Sequence, residues 1–237
     1  MLFRSGHELG YVDIAKGFFI VSGGGSDAYK LYYNPTGSIT GGSDYDHPLT
    51  TWKWIGAASG PNAIYVAGYT GNRGAIYKIT ITTAGVLDTP IVALDLPTGE
   101  IPTHLGSYLN GVLIGTNKGV RFATADNNGD LTTGAVIATG ADVNQFTSES
   151  NFVWFTWSNF ATSTSGLGRL DLSTFTSVNV PAYASDLMAS VGGTVTSTAT
   201  FSSKRLFAIS GSGLYAESGD LVASGSITTG VYRWGIP

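Results

Sequence analysis

Three sets of side chains in this sequence have the types and spacing to do chemistry. Asp126, Asn128 and Asp130 stand at alternate positions of an Asp-Asn-Asn-Gly-Asp run, and oxygen donors so spaced wrap one face of a Ca²⁺ ion. No Glu follows at the twelfth position that closes an EF-hand loop, and Gly129 precedes the last Asp instead of following it. Asp and Asn beside Gly are also what a β-turn requires, because they tolerate left-handed backbone and hydrogen-bond their own chain. A plain turn is therefore the reading carried forward, with Ca²⁺ as its alternative and no other cofactor expected.

The second set is acidic. Asp44, Asp46 and His47 share the longest polar loop and have the types for a metal site or an acid–base pair; solvated loop residues are the simpler expectation. A glycosidase requires two carboxylates about 5–9.5 Å apart; Asp13, Glu100, Asp142 and Glu149 are its candidates if they converge on an axis. No Gly-x-Ser-x-Gly elbow, P-loop or sialidase Asp box occurs. The glycines at 23–25, and Gly211 and Gly213, precede no helical pattern and read as hairpin residues. The expectation is a protein that is not an enzyme.

The third set is aromatic. Trp and Tyr planes stack on the C–H faces of sugars and anchor protein interfaces. Trp52 and Trp54 alternate and so share a strand face, whereas Trp154 sits inside an apolar triplet and reads as core. Trp157, Tyr69, Phe160 and Tyr183 fall at strand ends or in loops. Trp157, Tyr69, Tyr183 and Trp52 are the candidate ligand-binding residues.

The elements that must position these groups are repeated. An apolar triplet recurs at Phe18-Phe19-Ile20, Ile64-Tyr65-Val66, Val112-Leu113-Ile114, Val153-Trp154-Phe155 and Leu206-Phe207-Ala208, at intervals of 46, 48, 41 and 53 residues. A second strand-like run follows most of them. A period of about 40–50 residues built from short strands marks a β-propeller blade. The triplets are continuously apolar, as a strand covered on both faces should be, whereas a half-wet strand alternates. The pattern predicts an all-β, five-bladed β-propeller of four-stranded antiparallel blades. The single domain spans 1–237, with blades over 10–50, 51–100, 101–142, 143–190 and 191–237. Asn110-Gly111 is the expected turn of a hairpin in the third. Residues 1–3 and 227–232 are candidates to close the ring, and the chain reads as a module of a longer protein.

Composition agrees. Of 237 residues, 33 are Gly and 12% are charged, about twice and half the usual usage respectively. A formal charge of −4 without a basic run argues against nucleic acid, whose phosphates require clustered Lys and Arg. No apolar stretch is long enough to span a bilayer, and the first ten residues carry Glu8 and no apolar core of a signal peptide. Cysteine is absent, which removes disulfides and thiolate chemistry.

Several phrases resemble minor tail proteins of tailed bacteriophages that infect actinobacteria. They include Gly119-Val120-Arg121-Phe122-Ala123-Thr124-Ala125-Asp126, Gly166-Leu167-Gly168-Arg169-Leu170-Asp171-Leu172-Ser173 and Pro181-Ala182-Tyr183-Ala184-Ser185-Asp186-Leu187-Met188. The similarity is best over residues 100–237 and looser before. It implies a structural and adhesion module of a virion tail, made in the host cytoplasm without a signal peptide. The implied partners are other tail proteins, host envelope polysaccharide and further copies of the chain. It implies no catalytic residues. A free-standing propeller lectin and a propeller glycoside hydrolase are the alternatives; loops that differ between repeats count against the lectin, and the hydrolase requires clustered acids.

Overall fold

In a computed structural model, residues 9–37, 42–159, 164–187 and 193–217 are described. They form five antiparallel sheets in chain order. The first holds β1 (Leu9–Ala15), β2 (Phe18–Gly23), β3 (Lys30–Pro35) and β4 (Ser43–Asp46). The second holds β5 (Lys53–Ser59), β6 (Ala63–Thr70), β7 (Arg73–Thr80) and β8 (Ile91–Asp95). The third runs through β9 (Pro102–Tyr108), β10 (Gly111–Thr116) and β11 (Gly119–Ala125). Its outer strand is broken into β12 (Leu131–Thr133) and β13 (Ile137–Ala138), both paired with β11. The fourth holds β14 (Asp142–Glu149), β15 (Phe152–Asn159), β16 (Thr164–Ser177) and β17 (Val180–Leu187). The fifth shows β18 (Val195–Phe201), β19 (Lys204–Ile209) and β20 (Gly213–Ala216) among the described residues.

The unbroken apolar runs are explained by burial on both faces. In β6, Ile64 and Val66 pack into a core shared with the first sheet, while Tyr65 and Ala67 pack into a second core shared with the third. In β10, Val112 and Ile114 enter that second core and Leu113 the next, against Phe155 and Leu170 of the fourth sheet. Period-2 geometry sends neighbouring side chains to opposite faces, so a strand between two sheets is apolar at every position.

Tight turns set the register. Ala15 pairs with Phe18 across Lys16 and Gly17, both at positive φ, and Phe201 pairs with Lys204 across Ser202 and Ser203, likewise positive. Two successive positive-φ residues are the type I′ geometry that matches strand twist. In the third sheet the turn residues are Leu109 and Asn110, not Asn110 and Gly111. Gly111 begins β10 because a Cβ there would stand 2.1 Å from the Phe122 ring.

The first strands β1, β5, β9, β14 and β18 pack side by side in that order. Hydrogen bonds tie three of the four steps. Ala57 N–H donates to Asp13 at 2.7 Å, the Thr103 hydroxyl to the Val143 carbonyl at 2.6 Å, and Thr198 N–H to the Gln145 side chain at 3.1 Å. No comparable packing joins β18 back to β1 among the described residues, so these residues form an arc. Among the described residues, both end sheets expose apolar side chains. Val12 and Ile14, on the face of β1 turned away from Asp13, are 53% and 65% exposed, and Leu214 at the far end is 69% exposed. Residues 1–3 and 227–232, the candidates for closure, lie outside the described residues.

Candidate functional site

The register of the fourth sheet assembles an open groove. Phe152 of β15 stands opposite Asp171 of β16, and Asp171 opposite Ala182 of β17; Arg169 stands opposite Ala184. These five residues and Tyr183 line a cavity of about 160 Å³. Tyr183 is 55% exposed. The Arg169 guanidinium lies over the Phe152 ring, 5.0 Å from its centroid. Asp171 accepts hydrogen bonds from the Ser173 hydroxyl at 2.6 Å and its amide at 2.9 Å, and these hold its carboxyl below the usual range.

Beside the groove, the fifth sheet covers Trp154. Arg205 of β19 sits over Trp154 at 3.3 Å and is flanked by Glu149 at 3.8 Å and Glu217 at 3.5 Å. Burial disfavours the charge of Arg205, and the two carboxylates oppose that effect. Trp154 is thus half-buried under a cation and not a core residue as its triplet implied. Guanidinium donors and carboxylate acceptors beside an open groove are groups that hydrogen-bond the hydroxyls of a polar ligand.

The four aromatic candidates do not converge. Tyr183 borders the groove from β17, but it stands opposite Leu170, so its ring lies on the other face of the sheet from Arg169 and Asp171. Trp157 is buried in the core between the third and fourth sheets, and its strand-end position had pointed to a loop. Trp52 is 4% exposed, stacked on His47 with ring centroids 4.4 Å apart. Neither indole face is open to a ligand, so both assignments are corrected. Tyr69 is half-buried at the end of β6, paired with Lys53 and Gly74 of its own sheet. Phe160 lies outside the described residues.

The Asp126–Asp130 loop is a turn that already holds a cation. Asp126 Oδ1 accepts the amides of Asn128 and Asp130 at 2.9 and 2.8 Å. The Lys78 ammonium, from β7 of the neighbouring sheet, donates to the Asn128 carbonyl at 2.8 Å and to Asp130 at 2.7 Å. The Tyr65 hydroxyl donates to the Gly129 carbonyl at 2.9 Å; burial, with the charges of Asp126 and Asp130, pushes its pKa up to about 12. Among the described residues no group of three His, Asp or Glu side chains is placed to hold a metal.

The other acids serve the scaffold. Glu100 is buried against Arg121, Asp13 accepts the Ala57 amide, and Glu149 meets Arg205. Burial raises the Asp142 carboxyl, with Lys118 acting against it. His47, expected in a solvated loop, is buried among Tyr45, Trp52, Trp54 and Tyr77. Arg169, Asp171 and Phe152 were missed as site residues. Alternation in Arg169-Leu170-Asp171 places the two charges on one face, but only the pairing of β15 with β16 brings Phe152 beside them.

No family model matches the chain, and no curated protein matches it. Solved structures do. A catalytically inactive virginiamycin B lyase from Staphylococcus aureus with quinupristin aligns over 91% of this chain and 71% of its own, with a TM-score of 0.60 and 15% identity. The selenomethionine-substituted lyase aligns over 89% and 70%, at 0.56 and 15%. Human WBSCR16 aligns over 92% and 66%, at 0.55 and 12%. The fold is propeller-like. The expectation of a protein without enzymatic activity does not stand, because two of these matched folds are lyases and the architecture therefore hosts catalysis. At this identity the likeness carries the fold, with no residue roles.

Proposed function

We propose that the chain is a propeller module of a phage tail that binds host envelope glycan, its five sheets being five blades. The observation that carries this reading is the open groove formed by Phe152, Arg169 and Asp171 on one face of the fourth sheet. It lies within the stretch that most resembles minor tail proteins. The virion setting, the neighbouring tail proteins as partners and self-assembly in the tail rest on that resemblance. The groove is shallow and small beside the roughly 300–1,000 Å³ of pockets that enclose a drug-sized ligand. Binding per copy is therefore weak, and several copies on one particle supply avidity.

The experiment is binding of the fluorescently labelled protein, as a monomer and on multivalent beads, to intact actinobacterial cells and to purified envelope polysaccharide. Saturable binding that one polysaccharide fraction competes and Arg169→Ala or Asp171→Asn weakens supports the reading. Folded protein that binds no strain on multivalent beads overturns it. Release of reducing ends in the same mixtures reports directly whether the bound polymer is also cleaved.

A further inference from the structure

We propose that the connector over residues 47–52, between β4 and β5, is a proton-operated latch: protonation of His47 releases it while the sheets stay folded. Two side chains hold it down. His47 and Trp52 are buried, whereas residues 48–51 are exposed. The two rings stack, 13° from parallel. The Trp52 indole N–H has no hydrogen-bond partner among the described residues. Packing therefore seats that ring, against His47 on its face and against Trp54 and Tyr77 edge-on.

The imidazole is bonded in a way that only its neutral form satisfies. Nε2–H donates to the Tyr77 hydroxyl at 2.9 Å, and Nδ1 accepts the Leu49 amide at 3.1 Å. A proton added at Nδ1 turns this acceptor into a donor and sets it against the Leu49 N–H. The Leu49 carbonyl is 3.4 Å from Nδ1, at the far limit of a hydrogen bond, and already accepts the Trp52 amide at 3.0 Å. Closer approach of the imidazolium to that oxygen pulls on the turn that seats Trp52.

No charge on the surrounding elements compensates. The titratable groups that face the ring are Tyr45 of β4 and Tyr77 of β7, with Trp52 and Trp54 around the remainder. Asp46 precedes His47 but is exposed, opposite Lys30 of β3. Asp95 and Arg73 act on Tyr77. Burial therefore favours the neutral ring, with the Leu49 carbonyl as the opposing influence.

Opening puts the ring in water, where its pKa returns to about 6.5. The closed connector is fully favoured above that value and loses ground as pH falls toward the lower, closed-state value. Across this window the open fraction rises by up to about tenfold per pH unit. The remaining ties are the Thr51–Thr70 hydroxyl bond at 2.8 Å and the bond from the His47 amide to the Tyr29 carbonyl at 3.1 Å, so opening breaks no strand pairing. It uncovers the Trp52 end of the first core, an aromatic surface that neutral pH keeps covered.

The test is amide hydrogen exchange on the full chain, corrected for the intrinsic pH dependence of exchange, with the His47 imidazole followed by NMR in the same samples. Protection of the Leu49 and Trp52 amides should fall about tenfold between about pH 6.5 and about pH 5.5. The fall should track the His47 titration, while amides of β6 and β10 keep their protection. His47→Phe retains a ring against Trp52 and His47→Gln retains an acceptor for Leu49; both should abolish the pH dependence. Three outcomes overturn the proposal: protection in the unsubstituted protein that ignores pH, loss in β6 and β10 at the same pH as in the connector, or a dependence that survives both variants. If neither variant folds, the exchange and titration of the unsubstituted protein decide, and a His47 ring that titrates at or above about 6.5 overturns it.

Discussion

The Lys78 ammonium of the second sheet lies 2.7 Å from the Asp130 carboxylate of the third, with the lysine side chain buried and the aspartate half in solvent. The pair is a clasp between neighbouring sheets. It also occupies two oxygen acceptors of the Asp126–Asp130 loop, the Asn128 carbonyl and the Asp130 carboxylate. Lys78→Met keeps the stem and deletes the charge, leaving the Asn128 carbonyl without its donor. The expected cost is about 1–3 kcal/mol, read as a lower urea midpoint. Calcium or a chelator should leave the melting temperature of the unsubstituted protein unchanged. A calcium-dependent rise would show that a metal displaces the ammonium.

Glu100 and Arg121 form the other strong pair. Both donors, Nε and Nη2, are 2.7 Å from the two carboxylate oxygens, and both side chains are almost fully buried. Arg121 also donates to the Gly134 carbonyl at 2.8 Å, in the break between β12 and β13. Removing one partner of a buried pair strands the other charge. Glu100→Gln should therefore cost about 3–5 kcal/mol, and Arg121→Met with Glu100→Gln together should cost less than the sum. Additive losses in that double-mutant cycle would show that the pair is not coupled.

The repeat was legible because physics writes it into composition: a strand buried on both faces must be apolar throughout, as 64–67 and 112–114 are. The groove was not legible to the same degree. Tyr183 stood out as a loop-side aromatic, but Trp52 and Trp157 carried the same local signal and turned inward. What separates them is sheet packing, since a neighbouring sheet covers Trp157 and His47 covers Trp52. The Lys78 clasp spans 52 residues of sequence, a distance at which no local motif records the contact.

The first sheet offers an internal contrast. Ile14 and Ile20 lie in the paired strands β1 and β2 but on opposite faces; Ile20 is fully buried in the first core, and Ile14 is 65% exposed. Ile20→Ala should cost about 2–5 kcal/mol. Ile14→Ala should stay within about 0.5 kcal/mol, as surface substitutions do. Equal losses in urea denaturation would mean that another sheet covers β1 in solution.

Acid should weaken the protein above the range in which its carboxylates titrate. His47 is buried beside Trp52, its Nδ1 accepting the Leu49 amide at 3.1 Å and its Nε2 donating to the Tyr77 hydroxyl at 2.9 Å. Burial lowers its pKa, with the Leu49 carbonyl acting against the shift. Burial also lowers that of His104, opposed by the charge of Asp13. In the unfolded chain both return to about 6.5. Between the folded and unfolded values the unfolded state binds more protons, so stability rises with pH across that window. It is complete above the unfolded value and declines as pH falls toward the folded one. The urea midpoint should therefore be lower at about pH 5.5 than at about pH 7.5. His47→Phe preserves a ring against Trp52, removes one titrating group and should flatten part of that slope. His104→Gln in addition should flatten the remainder. A midpoint equal at both pH values in the unsubstituted protein would mean that neither histidine is held neutral by the fold.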